Sequence, residues 1–145
     1  MKFLPLISLL LSTSAFAGAA NIELDCVSDS GRTKVVGNVP GDMAEHEITF
    51  TIDGQSVHYV DTAETTPNST IEVKGDARKQ SFAFVISAVD AQPVFSFREI
   101  PGSGKIQRTP NGEKGSLRAI VQGVDPRDGS ASKEIEVRCT YRYEI

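Results

Sequence analysis

The sequence contains no tryptophan, and it has only two cysteines and two histidines among its 145 residues. Glycosidases place paired carboxylates in a groove, usually beside aromatic stacking surfaces, which this composition does not favour. Structural zinc takes four nitrogen or sulfur ligands, more than two histidines can supply once the cysteines are oxidised. The Gly-x-Ser-x-Gly elbow of α/β-hydrolases is missing as well. These absences predict a protein that is not an enzyme and that has no catalytic residues, metal or cofactor.

Long hydrophobic runs are also missing, since no stretch approaches the roughly 20 apolar residues of a transmembrane helix. The longest apolar run, residues 3–11, follows the cationic start Met1-Lys2 and precedes small residues at Ala15 and Ala17. This order is typical of a secretory signal peptide. We therefore predict that residues 1–17 are a bacterial-type signal peptide, with cleavage at 19 or 20 as an alternative. The mature chain, residues 18–145, is then expected to be a single soluble domain that is periplasmic or secreted.

The two cysteines, Cys26 and Cys139, lie near the two ends of the mature chain. In an oxidising compartment an even number of cysteines indicates disulfides, and two cysteines allow one intramolecular pairing. Each lies on the apolar side of an alternating segment. We therefore predict one disulfide, Cys26–Cys139, which would tie the first strand to the last, through the core or at its margin.

Apolar residues recur at every second position through most of the mature chain, which is the period of β-strands rather than helices. The clearest case is near the end of the chain, where Ile135, Val137 and Cys139 alternate with Glu136 and Arg138. About nine or ten such segments are separated by short turn signals. This pattern predicts an all-β fold, an antiparallel β-sandwich, with a small closed β-barrel as the alternative.

Asp53-Gly54 lies between two alternating segments, and Asp-Gly is a strong signal for a two-residue hairpin turn. One register keeps every large apolar residue on one face, and it pairs Ile52 with Gln55, Phe50 with Val57 and Ile48 with Tyr59. A slip by one residue would break that match. The same register places His46 and His58 on opposite faces, so this hairpin cannot bring both imidazoles to one metal.

Acidic residues outnumber basic ones by 19 to 15, which gives a formal net charge of −4. An acidic balance argues against a nucleic-acid or anionic-membrane partner. The charge is uneven, because residues 21–76 hold the acidic excess and residues 77–145 have more basic than acidic residues. Such asymmetry is one mark of an interaction surface, although interleaved strands would mix the two halves.

The segment Gly102-Ser103-Gly104-Lys105 is the main candidate for a binding loop. It is not a Walker phosphate loop, because Glu99 and Ile106 stand where that motif needs glycine and serine or threonine. Residues 113–117 (Glu-Lys-Gly-Ser-Leu) follow this segment. The order of these two segments resembles that of two segments in periplasmic inhibitors of c-type lysozyme. Those inhibitors are small exported β-barrel proteins. The resemblance implies that Ser103 and Lys105 would belong to an inhibitory loop.

The sequence thus predicts an exported, non-enzymatic β-sandwich protein that binds a protein or cell-envelope partner. Loops on a rigid β-framework commonly carry such contacts, and we expect them at residues 62–69, 101–105 and 123–131. Two alternatives remain open: an inhibitor of a secreted hydrolase such as lysozyme, and a subunit of a surface fibre.

Overall fold

The computed structural model describes residues 22–39, 46–62, 67–76, 81–88 and 92–144. The predicted signal peptide, residues 1–17, lies outside these described residues. The described chain forms strands β1 (Ile22–Ser28), β2 (Thr33–Val39), β3 (His46–Ile52), β4 (Gln55–Asp61), β5 (Ser69–Asp76), β6 (Ser81–Ala88), β7 (Pro93–Glu99), β8 (Lys105–Thr109), β9 (Gly112–Gly123) and β10 (Ile135–Glu144). The all-β class is confirmed. Within the described ranges there is no helix of the length and apolarity needed to cross a membrane.

The ten strands form one sheet in the order β4-β3-β2-β1-β10-β9-β7-β6-β5, and β8 pairs with the first half of β9. Every ladder in it is antiparallel. The sheet curls until its far parts meet, because the rings of Phe50 on β3 and Phe95 on β7 lie 5.1 Å apart although four strands separate them in the sheet. The architecture is therefore a nearly closed barrel. It corresponds to the barrel alternative rather than to two packed sheets.

Side chains join the two end strands of the sheet, β4 and β5. The Asn68 Oδ1 atom accepts a hydrogen bond from the Val60 N–H (2.8 Å), and its Nδ2 atom donates to the His58 carbonyl (2.9 Å). On the next residues, the Ser69 hydroxyl donates to the Val60 carbonyl, and the Ile71 N–H donates to Asp61 Oδ2. These bonds take the place of a backbone ladder and cover two edges that would otherwise expose unpaired groups.

The hairpin of β3 and β4 has the predicted register, which pairs Ile52 with Gln55, Phe50 with Val57 and Ile48 with Tyr59. Asp53 and Gly54 have φ angles of 46° and 81°. Positive φ at both central residues is the type I′ geometry, whose twist matches that of the flanking strands. The disulfide is confirmed as well, since Cys26 and Cys139 are bonded and lie directly opposite each other on β1 and β10.

The inner face of the barrel is apolar and contains an aromatic cluster. Phe95 is its centre, with ring centroids of Phe50, Tyr59 and Phe84 at 5.1, 6.1 and 5.8 Å. The Tyr59 hydroxyl is buried without a hydrogen-bond partner in the described part of the chain. Burial raises the pKa of Tyr59, because the low-dielectric interior disfavours the phenolate. The barrel interior is thus a packed core, and the candidate functional surfaces lie outside it.

Candidate functional site

Strand β8 is an open edge of the sheet. Among the described residues it pairs with β9 alone, and all of it except Thr109 is exposed. Ile106, near its middle, is 58% exposed. Of the described residues, Val36 and Val73 are the other large hydrophobic ones that are exposed, both to a smaller fraction. An edge strand presents unpaired backbone groups that serve as a template for a further strand.

The direction of the backbone groups of β8 follows from the disulfide. The Cα atoms of Cys26 and Cys139 are 4.0 Å apart, the short spacing of a non-hydrogen-bonded antiparallel pair. Because the two kinds of pair alternate, Cys139 bonds to Leu117 on β9, and Ser116 then bonds to Lys105 on β8. Lys105, Gln107 and Thr109 therefore direct their N–H and C=O groups to β9. Ile106 and Arg108 direct theirs to the open edge.

A bend between β7 and β8 leaves this edge uncovered. The Ser103 hydroxyl donates to the Arg118 carbonyl (3.1 Å) and accepts from the Arg118 N–H (3.0 Å). It therefore makes the two hydrogen bonds that a strand residue opposite Arg118 of β9 would make. Gly102, with a φ of 76°, permits the turn that brings Ser103 there. The neighbouring strand β6 pairs with β7 only as far as Arg98. Within the described ranges, β8 therefore has no strand on its outer side beyond the bend.

The predicted binding loop is thus divided between two roles. Ser103 is half-buried and its hydroxyl is bound to the backbone of β9, whereas Lys105 is exposed and begins β8. Gly102 and Gly104 flank Ser103 and are both exposed, and a Cβ atom on Gly104 would lie 3.0 Å from Glu99 Oε1. The structure therefore assigns Ser103 a bracing contact and leaves Lys105 available to a partner.

A groove of about 810 Å³ crosses the outer face of β2, β1, β10, β9 and β8. Two rows of cross-strand neighbours line it: Val36, Asp25, Thr140, Ser116 and Lys105 in one row, and Asn38, Glu23, Arg142, Lys114 and Gln107 in the other. The acids lie at the β1 side and the lysines at the β8 and β9 side. Arg142 in the middle forms an ion pair with Glu23 (Nη2 to Oε2, 2.8 Å). The acidic first part and the more basic second part of the sequence therefore lie on opposite sides of this groove.

Tyr141 braces the hairpin of β8 and β9 against β10. A Cβ atom on Gly115 would lie 2.6 Å from Tyr141 Cε1 and 2.4 Å from the Lys105 carbonyl oxygen, so only glycine fits between the ring and β8. The Tyr141 hydroxyl donates to Glu113 Oε1 at 2.8 Å. A braced edge loses less conformational freedom when a partner binds, which favours affinity.

The two other predicted contact loops lie elsewhere. Residues 123–131 follow the opposite end of β9, where the Arg127 guanidinium bonds to Asp125 and reaches Asp53 Oδ2 of the β3–β4 turn at 3.1 Å. The hydrogen bond from Arg127 lowers the pKa of Asp125 to about 2. The described part of residues 62–69 lies at the junction of β4 and β5. The described parts of the three loops therefore do not form one surface.

The two histidines lie on opposite faces of the hairpin, as the register predicts, and His58 is exposed with its Nδ1 atom 3.1 Å from Thr49 Oγ1. Where the structure describes the chain, no group of three or more histidine, cysteine, aspartate or glutamate residues is placed to hold a metal ion. Comparisons of the chain with protein-family models, with curated proteins and with solved structures found no match. The lysozyme-inhibitor and surface-fibre alternatives stay predictions from the sequence.

Proposed function

We propose that this chain is an exported, non-enzymatic protein that binds an extended segment of a protein partner as an added strand along β8. The observation that carries the proposal is the open edge at Ile106 and Arg108, two residues whose N–H and C=O groups point away from the sheet. In strand addition, backbone hydrogen bonds supply affinity and alternate side chains supply specificity. The exposed Ile106 side chain offers one apolar contact beside that edge.

The choice of an edge over the predicted loops has a physical reason. A strand added at β8 places half of its side chains on the outer face, next to the groove that begins at Lys105 and Gln107. Its other side chains meet Ile106 and Arg108. An extended peptide presents donors and acceptors at the same spacing as the open N–H and C=O groups, which a polysaccharide or lipid of the cell envelope does not, so a protein fits this surface better.

To test the proposal, peptides are first selected from a random seven-residue display library with the mature protein as bait. Their binding is then measured to variants in which Ile106 is substituted. Ile106→Pro removes an outward N–H group without removing a bond to β9, since residue 106 does not donate to β9. We expect the selected peptides to bind this variant about tenfold more weakly, because one backbone hydrogen bond to the peptide is lost and the added strand is less well aligned. Ile106→Val keeps the N–H group and the branched side chain and serves as the matched control.

Equal binding of the selected peptides to wild type and to Ile106→Pro would contradict the proposal. A library that yields no binding peptide would do the same. If the proline variant does not fold, the wild-type complex decides the matter, because strand addition must protect the Ile106 and Arg108 amides from hydrogen exchange.

A further inference from the structure

We infer that β8 selects an acidic extended segment, with an acidic residue opposite Lys105, another opposite Arg108 and an apolar residue opposite Ile106. This inference rests on the proposed strand addition and adds the chemistry of the partner. Strand β8 has the sequence KIQRT, with two cations and no acid. Both cations are exposed.

The positions of the cations fix which partner residues they meet. Lys105 and Gln107 lie on the outer face, and Ile106 and Arg108 lie on the other face, because side chains alternate along a strand. Directly opposite residues of an antiparallel pair have Cβ atoms about 4.5–5.5 Å apart, close enough for an ion pair. An antiparallel partner therefore meets a cation on each of its faces.

The cations of this edge are available to such a partner. Within the described chain, Lys105 and the neighbouring Lys114 of β9 form no ion pair, whereas Arg142 is already paired with Glu23. Glu113, which lies opposite Arg108, accepts a hydrogen bond from the Tyr141 hydroxyl. Glu113 keeps its negative charge, but three cations on β8 and β9, Lys105, Arg108 and Lys114, outnumber it beside the open edge. The local charge is therefore positive in a chain whose net charge is −4.

The same charges disfavour a second copy of this chain at the edge. A β8–β8 pair would place two strands side by side that both carry Lys105 and Arg108, with no acid on either strand to compensate. Like charges on adjacent strands destabilise a sheet, and lysine on an edge is a common means of preventing edge-to-edge association. The occupant that complements β8 is an acidic segment of another protein.

Two capped peptides test the inference on the mature protein: Thr-Glu-Thr-Val-Glu and Thr-Lys-Thr-Val-Lys, each flanked by Gly-Ser. In antiparallel pairing the charged residues fall opposite Arg108 and Lys105, and the valine falls opposite Ile106. We expect the glutamate peptide to bind about tenfold more tightly at low salt, from two favourable in place of two unfavourable cross-strand pairs. The difference should shrink at about 0.5 M salt, because these charges are exposed and screened.

The double variant Lys105→Glu/Arg108→Glu is expected to reverse the preference. Lys34→Glu/Lys133→Glu makes the same change in net charge away from β8 and should leave the preference unchanged. Equal binding of the two peptides, or binding of neither, overturns the inference. The library experiment with Ile106→Pro decides the proposed function separately, because it does not depend on peptide charge. Self-association of wild type that Lys105→Glu alters would identify a second copy as the occupant and would also overturn the inference.

Discussion

Loss of the Cys26–Cys139 bridge is expected to lower the free energy of unfolding by roughly 4–5 kcal/mol, the chain-entropy value for a loop of about 100 residues. The bridge joins residues 113 positions apart, so it restricts nearly the whole unfolded chain. In the folded state it lies between neighbouring residues of β1 and β10, both buried. Urea unfolding of the mature protein with and without dithiothreitol measures the difference.

The variant Cys26→Ala/Cys139→Ala separates the covalent bond from the thiols. We expect it to resemble reduced wild type in stability and to be insensitive to dithiothreitol. If the free energies of unfolding of the reduced and oxidised proteins differed by less than about 1 kcal/mol, the expectation would be contradicted, because the entropy of loop closure would then contribute almost nothing.

The substitution Phe95→Ala is expected to cost about 3–5 kcal/mol, the range for removal of a buried phenylalanine ring. Phe95 is 2% exposed and contacts Phe50 on β3, Tyr59 on β4 and Phe84 on β6. It therefore connects parts of the sheet that touch only because the barrel curls. Equilibrium unfolding in urea gives the free-energy change.

Ile106→Ala is the matched control for Phe95→Ala, because it also truncates a large apolar side chain, but on the open edge. We expect a cost below about 1 kcal/mol, since Ile106 is 58% exposed and buries little area in the free protein. If Phe95→Ala cost no more than Ile106→Ala, the aromatic cluster could not be the centre of the core.

The local features of this fold were predictable, and the closure of the sheet was not. The β3–β4 register follows from Asp53-Gly54 and the alternation beside it, because a two-residue turn allows few pairings. The disulfide follows from the cysteine count together with the predicted oxidising compartment. Alternation shows which face a residue occupies but not which strands are neighbours, so the contact of Phe50 with Phe95 could not be read from the pattern.

The candidate site was predicted only in part, again because strand order cannot be read from the alternation. Residues 105–108 have the polar character of an edge strand, and Lys105 belongs to the predicted loop. The hydrogen bonds of Ser103 depend on Arg118, which is 15 positions away and becomes its neighbour only through the bend after β7. The exposure of Ile106 depends on β6 ending its pairing with β7 at Arg98. Both are consequences of strand order.

Amide hydrogen exchange along β8 in the free mature protein tests the central claim most directly. If the edge is open, the Ile106 and Arg108 amides exchange close to the rate of an unstructured peptide. The Gln107 and Lys114 amides, which bond across the β8–β9 ladder, should then exchange at least about tenfold more slowly. Protection of Ile106 and Arg108 equal to that of Gln107 would mean that the edge is already covered, and strand addition at β8 would be ruled out.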